Sequence, residues 1–195
     1  MTEFLCRLLS LRGVHYLATR FGGRKLRSLS FDRKFTSGDW NFSSESPDLV
    51  ELVEKYCRNG HILVLGCGAA PIAGALNPAR FQSLLGIDLS REAIAAANKH
   101  ANERICFGLG DMAAYQCTRG YDVILFSNSF YYLRWWSRKS LLRRLSRSLT
   151  PDGRIIVSLA QPARYSGILA MIRSHFAVDV DRELHGAGGH VLVFH

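Results

Sequence analysis

Three polar residues of this chain stand where a short apolar run stops: Asp88 at the end of SLLGID, Asp111 in GLGDM, and Asn128 just past YDVILF. A carboxylate at Asp88 can accept hydrogen bonds from both hydroxyls of a ribose, each charge-assisted bond contributing roughly 1.5–3 kcal/mol; alternatively Asp88 only ends its strand. Asp111 suits an exocyclic amino group of a purine, or is an aspartate in a turn. Asn128 can turn its amide into a crevice or satisfy loop backbone. The fourth chemical feature is Gly66-Cys67-Gly68 within HILVLGCGAAPIAGAL, residues 61–76. A residue without a Cβ tolerates positive φ and lets a ligand come close to the backbone.

These residues need strands that end together. Ile62 to Leu65 form the continuous apolar run of a strand buried on both faces, and Pro71 can occupy the first turn of a following helix, where its missing N–H has no intrahelical partner. A dinucleotide fingerprint requires a glycine at position 71, which is Pro71, and no phosphate-loop G-x-x-x-x-G-K-[ST] sequence exists. Further strands are expected at Ser83–Asp88, Arg104–Phe107, Tyr121–Phe126 and Arg154–Leu159. A closing pair is expected at His175–Val180 and His190–Phe194, joined by a loop with Gly186, Gly188 and Gly189. Thr150 to Gly153 reads as a turn.

Helices are expected from Ser46, as cap, to Gly60, as stop; from Ser90 to Ala101; in the basic run after the loop SNSFYYLRWW and before Thr150; and from Pro162 to Ser174. The alternation predicts an α/β fold, a mostly parallel sheet covered by helices on both faces with its crevice at the strands' carboxyl ends. The last connection is too short for a crossover helix, so the final strand should run antiparallel.

The 195 residues suit one catalytic unit over 46–195 preceded by a segment, 1–45, with a short amino-terminal helix and an aromatic lid. The run FLCRLLSLRGVHYLATRF is broken by Arg7, Arg12 and Gly13, which fits neither a spanning helix nor a signal peptide. The stretch SLSFDRKFTSGDWNFSSESP lacks clean periodicity and reads as an ordered loop or lid, too aromatic at Phe31, Phe35, Trp40 and Phe42 for a free linker. Five cysteines without a C-x-x-C pair argue against a disulfide framework and a zinc site, and point to a reducing, cytoplasmic setting. The net charge of +9 concentrates at Arg20–Lys34 and Arg134–Arg154. In the second run Leu141, Leu142, Leu145 and Leu149 recur at helical spacing, so its cations read first as a solvated face and second as a nucleic-acid or acidic-substrate surface.

Together VLGCGAA, LLGIDLS, GDM, YDVILFSNSFYYL and LTPDGRIIVS resemble the class I S-adenosylmethionine-dependent methyltransferases from about Leu49 onward. The resemblance implies a Rossmann-like seven-stranded sheet with an antiparallel last strand and S-adenosylmethionine as cofactor, with no metal required. It implies cofactor contacts from Gly66, Cys67 and Gly68 near the methionine part. Asp88 then holds the ribose, with Leu89, Asp111 and Met112 at the adenine, and Asn128 completes the set. Acceptor-facing residues follow the fourth strand at Tyr131 and Tyr132, and Trp40 belongs to a segment that resembles the lids of small-molecule and saccharide methyltransferases. The chain departs from the family at Val64, where a carboxylate that helps orient the cofactor's amino group usually stands, and at Ala70, where the turn's third glycine does.

The leading expectation is methyl transfer to a small or saccharide-like acceptor, at oxygen. An RNA methyltransferase using the basic runs and a methyltransferase-like binding domain without turnover are the alternatives. His15, His185 and His190 could approach the crevice, or lie on the surface as ordinary histidines. No Asn-Pro-Pro-Tyr or Asp-Pro-Pro-Tyr sequence follows the fourth strand, which argues against methylation of DNA adenine.

Overall fold

The apolar runs form one seven-stranded sheet in a computed structural model that describes residues 22–37, 45–185 and 189–195. The strands are β1 (His61–Leu65), β2 (Ser83–Asp88), β3 (Ile105–Leu109), β4 (Tyr121–Ser127), β5 (Leu149–Leu159), β6 (Val178–Leu184) and β7 (Gly189–Phe194), in the order β3-β2-β1-β4-β5-β7-β6. The first five run parallel to one another. β7 is antiparallel to both β5 and β6, between which it is inserted. The described helices are α1 (Arg24–Thr36), α2 (Pro47–Cys57), α3 (Pro71–Ala75), α4 (Arg91–Ala97), α5 (Trp135–Ser146) and α6 (Ser166–His175).

Strand alternation sorts the core into two layers. Ile62, Val64, Val123 and Leu125 pack with Leu49, Leu52 and Val53 of α2 on one face. Leu63, Leu65, Ile124 and Phe126 pack with Leu141, Leu142 and Leu145 of α5 and Ile168 and Ile172 of α6 on the other. Successive residues of β1 and β4 thus face opposite layers, as a sheet buried on both sides requires.

Several local expectations change. The stretch read as a loop begins inside a helix, since Ser28 to Thr36 belong to α1; the amino-terminal run and Trp40 lie outside the described residues. Only Ser30 and Phe31 of α1 are buried, so hydrophobic periodicity carries almost no signal for it, and tertiary hydrogen bonds hold it instead. Asp32 accepts from Ser90 Oγ at 2.6 Å and from the Arg91 N–H at 2.7 Å, acting as a second, remote cap on α4 beside Ser90's own cap to Ala93. Ser28 Oγ donates to the Leu89 carbonyl at 2.9 Å. Replacing Asp32 with alanine leaves α4's first turn short of an acceptor, so we expect a loss of about 1–2 kcal/mol, a fall in Tm of roughly 2–8 °C by calorimetry.

Ser46 stands at the start of α2, but its backbone carbonyl receives the Leu49 and Val50 N–H groups while its hydroxyl makes no cap. The stop is made by Arg58 and Asn59 in left-handed conformation rather than by Gly60. Gly60 has another task, because a Cβ there would lie 1.9 Å from the Asp122 carboxylate, which receives the His61 N–H. Helix α4 stops at Ala97 and passes into a short 3₁₀ turn.

The expected turn at Thr150–Gly153 is taken into β5 as an irregularity: Tyr121 pairs with Leu149 and Val123 already with Arg154. Leu149 therefore belongs to β5 and not to the basic helix. Helix α6 begins at Ser166 rather than Pro162 and continues through His175, so β6 starts only at Val178.

Candidate active site

The turn after β1 is fastened to the end of β2, since the Gly66 and Cys67 N–H groups both donate to the Ile87 carbonyl, at 2.7 and 3.1 Å. Gly66 and Gly68 adopt φ of +73° and +56°, and a Cβ on Gly66 would sit 2.5 Å from that of Ser129. Ala70 takes φ +55° where the family has a glycine, a conformation that strains an L-residue by about 1–2 kcal/mol, and Pro71 then opens α3.

Asp88 closes this turn. Its Oδ2 accepts the Gly68 N–H and its Oδ1 the Ser90 N–H, both at 2.9 Å, and burial pushes its pKa up despite these bonds. A carboxylate offers about four acceptor positions, so two remain for a pair of hydroxyls. The Gly110 N–H donates to the Asp88 backbone carbonyl at 2.8 Å, which sets Asp111 beside it. Asp111 accepts the Ala113 N–H at 3.0 Å and is ion-paired to Arg27 of α1, so the helix over the site is tied to the very residue expected at the adenine.

At the end of β4, Asn128 has φ +50° and its buried amide oxygen has no partner among the described residues. Ser129 Oγ donates to the Leu65 carbonyl at 2.6 Å, linking the β4 loop to β1. A 3₁₀ turn at Phe130–Tyr132 presents the aromatic wall: Tyr132 meets Phe31 of α1 edge-on at 5.2 Å, and Tyr131 stacks on Tyr165 at 4.4 Å. Burial pushes the Tyr131 phenol up to about 12, so at neutral pH it can donate a hydrogen bond but cannot act as a base. Burial and the neighbouring Asp88 likewise keep the Cys67 thiol protonated.

The glycine turn, Asp88, Asp111, Asn128 and the two tyrosines of the 3₁₀ turn line one cavity of about 320 Å³ at the carboxyl ends of the parallel strands. Gly66, Cys67, Gly68, Asp88, Leu89, Asp111, Met112, Asn128, Tyr131 and Tyr132 all line it. The histidines of the closing hairpin do not: His185 bonds Asp48 at 2.7 Å and His190 bonds Asp181 at 2.6 Å, while His15 lies outside the described residues.

Sequence reasoning missed three cavity residues. Arg27 was one cation in a basic run, and Ser158 one polar residue in a strand. Glu45, the acid just before α2, had no periodicity to mark it; it receives the Ser127 hydroxyl at 2.9 and 3.1 Å, and burial raises its pKa more than that bond lowers it.

Residues 62–153, which contain the glycine turn, Asp88 and Asp111, match a family model described as a methyltransferase domain. Over these residues the chain is similar to methyltransferase domains. The N-methyltransferase NodS of Bradyrhizobium japonicum, in complex with S-adenosyl-L-homocysteine, is similar in fold with a TM-score of 0.63 at 18% identity, over 98% of this chain and 96% of that one. A TehB-like SAM-dependent methyltransferase of Corynebacterium glutamicum gives 0.64 at 20% identity, over 87% and 98%. The glycopeptide N-methyltransferase MtfA complexed with sinefungin gives 0.63 at 15%, over 80% and 87%.

Two cations of the basic helix serve this fold internally. Arg138 donates to the Leu133 and Tyr131 carbonyls at 3.1 and 2.9 Å, and Arg144 to those of Ala113 and Tyr115 at 2.9 and 3.2 Å. They buttress the loops that carry Tyr131 and Met112, so the solvated-face expectation does not hold for these two. Among the described residues no helix is long and apolar enough to cross a membrane.

Proposed function

We propose that this chain binds S-adenosylmethionine across the ends of β1, β2 and β3 and transfers its methyl group to a compact acceptor held against Tyr131 and Tyr132. The observation that carries this reading is the single cavity shared by the glycine turn, Asp88, Asp111 and the aromatic wall. The complexes of NodS with S-adenosyl-L-homocysteine and of MtfA with sinefungin support it. So does the charge balance, because Asp88 and Glu45 are buried acids that gain from a cationic ligand with hydroxyl donors.

The cofactor's sulfonium supplies an already reactive methyl group, which leaves the protein the work of alignment. Gly66 and Gly68 let the ligand approach the backbone, Asp88 holds the ribose, and Asp111, with Leu89 and Met112, bounds the base. Tyr131, Tyr132, Phe31 and Phe35 exclude water and orient the acceptor at about 3–3.5 Å from the methyl. Helix α1 acts as the lid.

The acceptor atom we favour is nitrogen rather than the oxygen expected from sequence. The described lining residues include no histidine or lysine, and a neutral amine needs less help from a base than a hydroxyl does. Two of the fold neighbours are named N-methyltransferases. The cytoplasm suits a chain whose four described cysteines are all free thiols. Calorimetric titration with S-adenosylmethionine, followed by mass spectrometry of labelled methyl transfer to a panel of small amines and alcohols, tests the proposal. We expect binding and a labelled amine product; a folded chain that binds no cofactor ends it.

A further inference from the structure

The cavity wall at the ends of β4 and β5 is built from hydrogen-bond acceptors that lack donors. Both carboxylate oxygens of Glu45 share one donor among the described residues, the Ser127 hydroxyl. Among the described residues the Asn128 amide oxygen and the Ser158 hydroxyl, the latter in a residue only 1% exposed, have no hydrogen-bond partner. These groups are neighbours: Ser127 and Ser158 are register partners across β4 and β5, and the Asn128 N–H donates to the Ser158 carbonyl at 3.1 Å. The cation nearest in kind, Arg27, is the only one among the described lining residues and is already paired to Asp111. A buried carboxylate and two orphaned acceptors in one wall are costly unless a donor-rich cation fills the space between them.

We propose that Glu45, Asn128 and Ser158 seat an ammonium group, the α-ammonium of the bound cofactor. This inference rests on the cofactor reading above and extends it to Glu45 and Ser158, which that reading did not assign. An ammonium offers three N–H donors and no acceptor, which matches three acceptor groups. The placement also answers the departure at position 64: Val64 pairs with Leu125, two residues before the Ser127 that holds Glu45. The segment preceding α2 thus supplies across the cavity the carboxylate that β1 lacks. Burial raises the Glu45 pKa in the unliganded protein, as expected of an acid whose counter-ion arrives with the ligand.

Two ligands separate this seat from the nucleoside site. S-adenosylhomocysteine carries the ammonium; 5′-methylthioadenosine has the same nucleoside and sulfur without it. By calorimetry Glu45→Gln should bind S-adenosylhomocysteine about 10–100-fold more weakly while 5′-methylthioadenosine binding stays within about twofold of wild type. Equal losses for both ligands, or no loss for either, overturn the seat while leaving the cofactor reading intact. If wild type binds neither ligand, both readings fall together.

A measurement on wild type alone guards against a variant that does not fold. Across pH 5–7, dependence of the binding heat on buffer ionisation should show more proton release with S-adenosylhomocysteine than with 5′-methylthioadenosine, the excess coming from Glu45. The shared ribose cancels any contribution of Asp88. Equal release by the two ligands throughout that range overturns the proposal.

Discussion

Asp88→Ala will weaken binding of S-adenosylmethionine by about 10²- to 10⁴-fold, the loss of two charge-assisted hydrogen bonds to a ribose at roughly 1.5–3 kcal/mol each. The same carboxylate receives the Gly68 and Ser90 N–H groups, so its removal also frees Gly68, while the Gly66 and Cys67 N–H groups stay bonded to the Ile87 carbonyl. Asp88→Asn separates the two roles, because an amide keeps one oxygen to bridge a backbone N–H but loses the charge. We expect Asn to restore most of the thermal stability and little of the affinity, measured by calorimetry on both variants. Equal affinity of wild type and Asp88→Ala would remove the ribose role.

The pH dependence follows in sign from the burial of Asp88. Its folded pKa lies above the unfolded value, so between the two the native state binds more protons, and the unliganded protein loses stability as pH rises through that window. Cofactor affinity should run the other way. A protonated Asp88 has lost its charge and turned one acceptor into a donor, so affinity falls as pH drops through the raised pKa. Melting curves with and without ligand across pH 4–7 should therefore diverge as pH rises.

Gly66→Ala is the change with the largest expected effect on the fold. At φ +73° an alanine incurs about 1–2 kcal/mol of backbone strain, and its methyl would lie 2.5 Å from the Ser129 Cβ. Ser129 cannot yield freely, since it is buried and its hydroxyl bonds the Leu65 carbonyl. Overpacking adds about 1–3 kcal/mol, for a total of about 2–5 kcal/mol and a drop in Tm of roughly 4–20 °C. Gly68→Ala is the control: it has a similar φ of +56° but nothing within 4 Å of the added Cβ, so it should lose only the strain part.

What the sequence disclosed was what local pattern controls. The bounds of β2 at Ser83 and Asp88 are those expected, Pro71 opens its helix, Ser90 caps α4, and the last strand is antiparallel, because each follows from a short apolar run, a fixed φ, a side-chain acceptor or a loop length. The cavity-lining residues Gly66, Asp88, Asp111 and Asn128 were legible for the same reason, each standing at or just past the end of a strand. Helix α1 was not, because its one buried hydrophobic residue, Phe31, gives no period and Asp32 holds it from outside. Arg27 and Glu45 were hidden for a related reason. Each acts on a partner more than eighty positions away, and only the fold brings Asp111 and Ser127 to them.

The insertion of β7 between β5 and β6 has a consequence for how the chain folds. Residues of β6 are synthesised before their only sheet neighbour, and β5 keeps an open edge until Gly189–Phe194 arrive to fill it. Ile155, Ile156 and Val157 on that edge form an apolar strand able to pair with another molecule in the interval. Aggregation during refolding should thus be governed by the docking of one late strand, and a chaperone that shields β5 until then would raise the yield.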